Sequence, residues 1–273
     1  MDTPNRVFDL IIKTVNKSDA KNVDLTMISP KNKTSLNNLF RNNTNLVHIN
    51  ASNWDTGNIK SLVFAFGVMK NLESVDIADW DVSNVTNFFA MFNESYMLKT
   101  IDVSKWNTRS AINMSWMFSG NSLNILDVSN FDTSKVTNMH SMFSQSKLTQ
   151  LDISNFDTSN VLDFGSAFSY WEGVSKELNI SGLDLSKCTS MDRTFLNSDF
   201  KVIRCDGLRL PNIDMSKIGL NYSKSLTVDS IVGLLNALPQ SDKGYSFQIG
   251  SGNIAKLSDE QKAIATNKGW TLI

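Results

Sequence analysis

Four aspartates, Asp76, Asp102, Asp127 and Asp152, recur at steps of 26, 25 and 25 residues, each directly after an aliphatic pair slot such as Ser-Val-Asp or Ile-Leu-Asp. Residues in one slot of adjacent parallel strands lie ~4.8 Å apart. Neighbouring carboxylates at that distance repel by ~1 kcal/mol in water, and more when desolvated. Two ways of relieving the repulsion follow from the residue types. Turn amides with Ser and Thr hydroxyls can satisfy the carboxylates, or cations such as Ca²⁺ can sit along the column as the only cofactor the chain invites.

A second group of side chains could recognise rather than react. Trp116 stands in a slot held elsewhere by Ala65, Ala90, Ser141 and Ser166, and Tyr170 and Trp171 lie in SYWEGVSKE, where the spacing from Phe168 to Leu183 carries two extra residues. Large rings at such places can stack on sugars, bury in another subunit, or pack on the adjoining repeat. Catalysis has little to work with. His48 and His140 fall in different slots, neither has Cys or carboxylate neighbours at metal-ligand spacing, and no nucleophile elbow, phosphate loop, zincin or dinucleotide fingerprint is present. No catalytic residue is assigned, and the chain is expected not to be an enzyme.

The elements that position these side chains are repeats. An aromatic followed by Asp or Asn returns at Trp54-Asp55, Trp80-Asp81, Trp106-Asn107, Phe131-Asp132 and Phe156-Asp157, and Phe40, Phe66, Phe92, Phe118, Phe143, Phe168 and Phe195 keep the same beat. A period of 25 to 27 residues means one supersecondary unit per repeat, unable to bury its apolar face alone. Within 123–143, the slots of Leu123, Leu126 and Val128 predict a short strand, Ser-Asn-Phe-Asp-Thr-Ser predicts a turn, and Val136, Met139, Met142 and Phe143 predict a short helical or 3₁₀ segment. Strands recurring in one direction pair in parallel, since each crossover has the dozen or more residues required. The aromatics of the Trp/Phe-Asp slot are expected to point inward and stack, so Trp54, Trp80 and Trp106 are assigned to the core.

The pattern L-x-x-L-D-[IV]-S-x-[FW]-D-T-S-x-V-T-x-M-x-x-M-F, carried by 126–143, 151–161 and 77–92, resembles the BspA-type bacterial leucine-rich repeats. The resemblance implies an α/β solenoid with a parallel sheet on one side and short helical segments on the other, over residues 36–218 in about seven repeats. Residues 1–35 then form an N-terminal cap with a helix over 7–15, and 219–273 a C-terminal cap. In the latter, Thr227 is expected to cap a helix that Pro239 stops, and Ser258 with Gln261 to form a capping box. The tail from Leu226 onward resembles a C-terminal segment of phage and prophage tail-associated repeat proteins. That likeness implies a virion location, with recognition of a host cell-surface glycan or protein and contacts to other virion proteins. A bacterial surface or secreted adhesin is the rival setting, and a structural virion subunit without receptor contact is the third.

Charge and hydropathy exclude other classes. The formal net charge is -1, without the basic excess that a nucleic-acid surface needs. No apolar run is long enough to insert in a membrane, and the start, MDTPNRVFDLIIKTVNK, makes a poor secretion signal because Asp2 and Asp9 flank its short apolar run. Cys188 and Cys205 occupy slots held by Val and Ile in other repeats, so they read first as buried thiols, with a disulfide or metal pair as the alternative.

Overall fold

The computed structural model describes residues 3–173 and 176–273, with the side chains of Thr3 and Pro4 excluded. The fold is mixed α/β, with small parallel sheets and few helices. A helix α1 (Thr3–Val15) leads into strand β1 (Asn22–Asp24), followed by β2 (His48–Asn50), β3 (Ser74–Asp76), β4 (Glu177–Asn179) and β5 (Val202–Arg204). The C-terminal part holds a 3₁₀ turn (Leu220–Tyr222), α2 (Val228–Ala237), β6 (Ser246–Phe247), α3 (Ser251–Ile254), α4 (Asp259–Thr266) and β7 (Thr271–Leu272).

All pairing is parallel and joins equivalent residues of consecutive repeats. Val23 faces Ile49, Ile49 faces Val75, and Leu178 faces Ile203. Pairing therefore begins at β1, inside the segment read as an N-terminal cap. Strands expected around Ile101, Leu126 and Leu151 are not formed as such. That line of the structure is held by the Ser74–Thr100 and Asp152–Asn179 bridges and by single bonds such as Ser122 N–H to Leu98 O at 3.1 Å. Two of these repeats, those of Leu126 and Leu151, are one residue shorter ahead of the strand, with five steps from Phe118 to Leu123 and from Phe143 to Leu148; that of Ile101 keeps the six steps, Phe92 to Leu98, of the repeat that forms β3.

Main-chain pairing is most continuous elsewhere, along the segment read as a short helix. Parallel bridges run unbroken through Ser35, Ser61, Asn87, Asn113, Asn138, Asp163 and Ser190. Beyond each bridge, alternate amides of one repeat donate to the next: Met114, Trp116, Phe118 and Gly120 donate to Asn138, His140, Met142 and Ser144 at 2.9–3.0 Å. A helix would turn these amides onto its own carbonyls. The chain instead makes successive turns that spend them between repeats, so the expected helical segment is corrected to a ladder of turns.

That geometry places two residues per repeat in the left-handed region, four apart: 38 and 42, 64 and 68, 90 and 94, 116 and 120, 141 and 145, 166 and 170, 193 and 197. Only Gly120 among them is a glycine. Left-handed backbone costs an ordinary L-residue ~1–2 kcal/mol, so the ladder bonds must hold the conformation in place. Gln145 is exposed at φ 55°, in the slot where the preceding repeat has Gly120 at φ 66°. Replacing Gln145 by Gly should raise stability by ~1 kcal/mol in urea unfolding, whereas Gly120→Ala should lower it, because a Cβ there meets the Glu94 main chain at 3.4 Å.

The core is one continuous cluster built from the repeated slots. Phe40, Phe66, Phe92, Phe118, Phe143, Phe168 and Phe195 stack in a single file, with successive centroids 5.5–6.2 Å apart. Trp54, Trp80 and Trp106 are buried as expected, and each indole N–H donates to a carbonyl of the preceding repeat, Leu25, Ala51 and Ile77, at 2.9–3.2 Å. Phe131 and Phe156 keep the stacking, 6.4 Å apart, but have no such donor. The Asn155 amide reaches Val128 O at 3.3 Å in place of an indole. Cys188 and Cys205 are free buried thiols, with burial pushing them up to about 12 and about 11 respectively.

At the ends, α1 packs Phe8 edge-on against Trp54 at 5.1 Å. Thr227 caps α2, and Ser258 with Gln261 closes both halves of a capping box on α4. Met215 pairs with Phe247 and β6 with β7, so the parallel pairing continues into the C-terminal segment.

Candidate functional site

The aspartate column is a set of turns. Asp102 accepts from the Ser104 amide at 3.0 Å and from its hydroxyl at 2.7 Å, and Asp127 and Asp152 accept from the Ser129 and Ser154 amides at 2.9 Å. The Ser hydroxyl and amide hold Asp102 and Asp127 below the usual carboxylate range, while at Asp152 the Ser154 amide leads. Asp102 itself pushes Asp127 the other way, which is the repulsion expected along the column. Asp76 is followed two residues later by Ala78, which offers no hydroxyl.

The same device recurs at two further corners of each repeat, as in Asp132 with Ser134 and Asn138 with the His140 amide. The cation column is not assembled: among the described residues, no group of three or more His, Cys, Asp or Glu side chains could hold a metal ion. The Asp102, Asp127 and Asp152 carboxylates are each turned onto their own turn.

Replacing Asp127 by Ala should cost ~1 kcal/mol, the net worth of the lost bonds, while Asp127→Asn keeps the acceptor and costs less. Chelator should leave the melting temperature unchanged. Because these carboxyls are lowered on folding, their contribution is complete above the unfolded value of about 3.9 and disappears as pH falls through the lower folded values. Thermal melts should thus be insensitive to these groups from pH 7 to 5 and fall below about pH 4.

The aromatic candidates separate. Trp171 is 6% exposed, with its ring 6.3 Å from Phe168 and 5.6 Å from Phe200. Of the alternatives open for this ring, packing on the adjoining repeat is the one it takes. The Leu slot of Leu98, Leu123 and Leu148 falls in this repeat on Gly173, where a Cβ would approach Leu148 O to 2.0 Å and the Trp171 indole nitrogen to 2.3 Å. Trp171 fills the volume that the missing leucine leaves. Of the inserted stretch, Val174 and Ser175 lie outside the described residues.

Tyr170 is 44% exposed, and Trp116 is half-buried with its ring 5.8 Å from that of His140. These three rings line one groove of about 470 Å³, together with Gln145, Asp192, Arg193 and Lys217. Trp116, Tyr170 and Arg193 all have left-handed backbone fixed by ladder bonds, Arg193 N–H to Lys217 O at 2.7 Å among them.

His140 Nδ1 lies 3.3 Å from Asp163 Oδ1. Burial raises the Asp163 carboxyl, but His140, the Gly165 amide and Ser190 together outweigh it and hold it low.

Half-buried Phe64 and Phe89 extend the aromatic run, 5.3 Å apart and edge to face, with the Arg41 guanidinium 3.9 Å over Phe64. Phe64, Phe89, Trp116, His140 and Tyr170 give one ring in each of five successive repeats. Sequence reading found two of them, Trp116 and Tyr170. The signal for the rest was present, since the 25- to 26-residue step puts Phe64, and not the expected Ala65, in Trp116's own slot and Phe89 in that of His140, but only the ladder of turns puts these slots on a common surface.

The fold and this surface define a repeat protein whose packing slots carry repeated residues and whose left-handed positions vary widely between repeats. The chain belongs to the family described as Mycoplasma protein of unknown function, DUF285, whose model matches residues 11–125 and 112–203. This supports the bacterial repeat family read from the motif. The tail-associated likeness draws nothing from it, because the matches end before that segment. No curated protein and no solved structure matches the chain.

Proposed function

We propose that the chain is a non-enzymatic recognition module, a leucine-rich-repeat type solenoid that binds an extended partner on the face carrying Phe64, Phe89, Trp116, His140 and Tyr170. One observation carries this reading. Packing slots repeat the same residue from unit to unit, whereas the left-handed slots run Asn38, Phe64, Ala90, Trp116, Ser141, Ser166, Arg193. Residues that serve packing are constrained to be alike; residues free to differ on a fixed backbone can be suited to a partner. Rigidity lowers the ordering cost of binding, and many copies on one particle or cell supply avidity.

The partner class is a cell-surface glycan or protein. Two settings remain proposals, a bacterial surface and a virion. The first draws support from the family match over 11–203, the second only from the likeness of residues 226–273. Adsorption of purified protein to bacterial cells tests the reading. Replacing Trp116 and Tyr170 together by Ala should abolish adsorption with little change in melting temperature, since neither ring is fully buried. Unchanged adsorption of that variant would refute this face as the binding surface.

A further inference from the structure

We propose that the groove between Trp116 and Lys217 binds a carboxylated glycan, a chain of uronic-acid type, with sugar rings on Trp116 and Tyr170 and a sugar carboxylate on Arg193 and Lys217. The inference rests on the recognition reading above and narrows it to a ligand chemistry.

Three features of the groove lead there. Its volume, about 470 Å³, lies within the ~300–1,000 Å³ range of small-ligand sites. Trp116 and Tyr170 are two repeats apart, roughly 10 Å along the stacking direction, which suits two rings of an extended chain rather than one compact ligand. Flat aromatic faces attract the C–H faces of sugars, and the polar neighbours Gln145, Ser141, Ser166 and Asp192 offer donors and acceptors for ring hydroxyls.

Charge distinguishes an acidic glycan from a neutral one. Arg193 and Lys217 are exposed, and neither forms an ion pair with a described residue. The ladder bond from Arg193 N–H to Lys217 O holds the two cationic residues on adjoining turns. Asp163 is already engaged by His140, which leaves Asp192 as the carboxylate lining the groove, while Asp214 faces Lys217 from outside it. A guanidinium fork matches a planar carboxylate in two parallel hydrogen bonds, and the ammonium adds a point charge beside it.

The test is titration calorimetry of the full chain with three probes: an oligogalacturonate hexamer, the same hexamer with its carboxyls reduced to alcohols, and a glycerol-phosphate polymer. The expected result is saturable binding of the oligogalacturonate, weakened at least tenfold by carboxyl reduction and by Arg193→Gln with Lys217→Gln, as loss of charge-assisted hydrogen bonds would produce. Trp116→Ala should weaken both hexamers alike. The Gln variants remove exposed, unpaired charges, and an unchanged melting curve would verify that they fold.

Equal binding of the acidic and neutral hexamers, or preference for the phosphate polymer, would overturn the carboxylate assignment. If no probe binds but cell adsorption is still lost on replacing Trp116 and Tyr170, the glycan inference is overturned and the recognition face stands. If that adsorption is unaffected, the recognition reading itself has failed.

Discussion

Replacing Phe118 by Ala is expected to lower the unfolding free energy by ~3–5 kcal/mol, the usual cost of removing a large buried ring. Phe118 is 1% exposed and lies between Phe92 at 5.8 Å and Phe143 at 6.2 Å, in the middle of the seven-ring file. Its backbone is fixed on both sides, with its amide donating to Met142 O and the Phe92 amide donating to Met117 O. The void therefore has little freedom to collapse, which favours the upper part of the range. Chemical denaturation read by intrinsic fluorescence measures it. A second outcome follows if the repeats stack as the proposed solenoid: weakening a central interface should make the variant unfold in a broader transition than the parent, as quasi-one-dimensional folds do. A loss under 1 kcal/mol with unchanged cooperativity would show that the file is not the main axis of the core.

Trp171→Ala should be as costly, ~3–5 kcal/mol, and silent in recognition. Tyr170→Ala, one residue away, should show the reverse pattern. The contrast comes from the side on which each ring falls. Tyr170 occupies a left-handed ladder position at φ 55° and stays 44% exposed, while Trp171 turns into the core against Phe168, Phe200 and the Leu slot vacated at Gly173. Melting temperature and adsorption measured on both variants decide the assignment. If Trp171→Ala lost adsorption below its melting transition, the indole would be contributing to the surface after all.

Much of the framework was legible in residue spacing. The Phe file, the buried Trp54, Trp80 and Trp106, the thiols in apolar slots, the Thr227 cap and the Ser258–Gln261 box follow from patterns that local chemistry imposes. The aspartates left two readings open. Their Ser neighbours two residues on already contained the answer, because a carboxylate bonds the amide at that offset without help from the rest of the fold.

What the sequence alone could not decide depended on partners in the next repeat. Spacing of Val136, Met139, Met142 and Phe143 is compatible with a helix, and nothing local forbids one. The chain forms turns instead because the amides find carbonyls 23 to 26 residues away, and those bonds also enforce left-handed backbone at residues as unsuited to it as Val68. Likewise, an aromatic beside an insertion can pack or project until the neighbouring volume is known; Trp171 is inward because Gly173 leaves a space that only the stacked repeats define. Periodicity determined the unit and its core, since each packing slot must present the same face to an identical neighbour. Tertiary structure decided the aromatic face proposed for recognition, since Phe64, Phe89, Trp116, His140 and Tyr170 come from different units and share a side only through the ladder of turns.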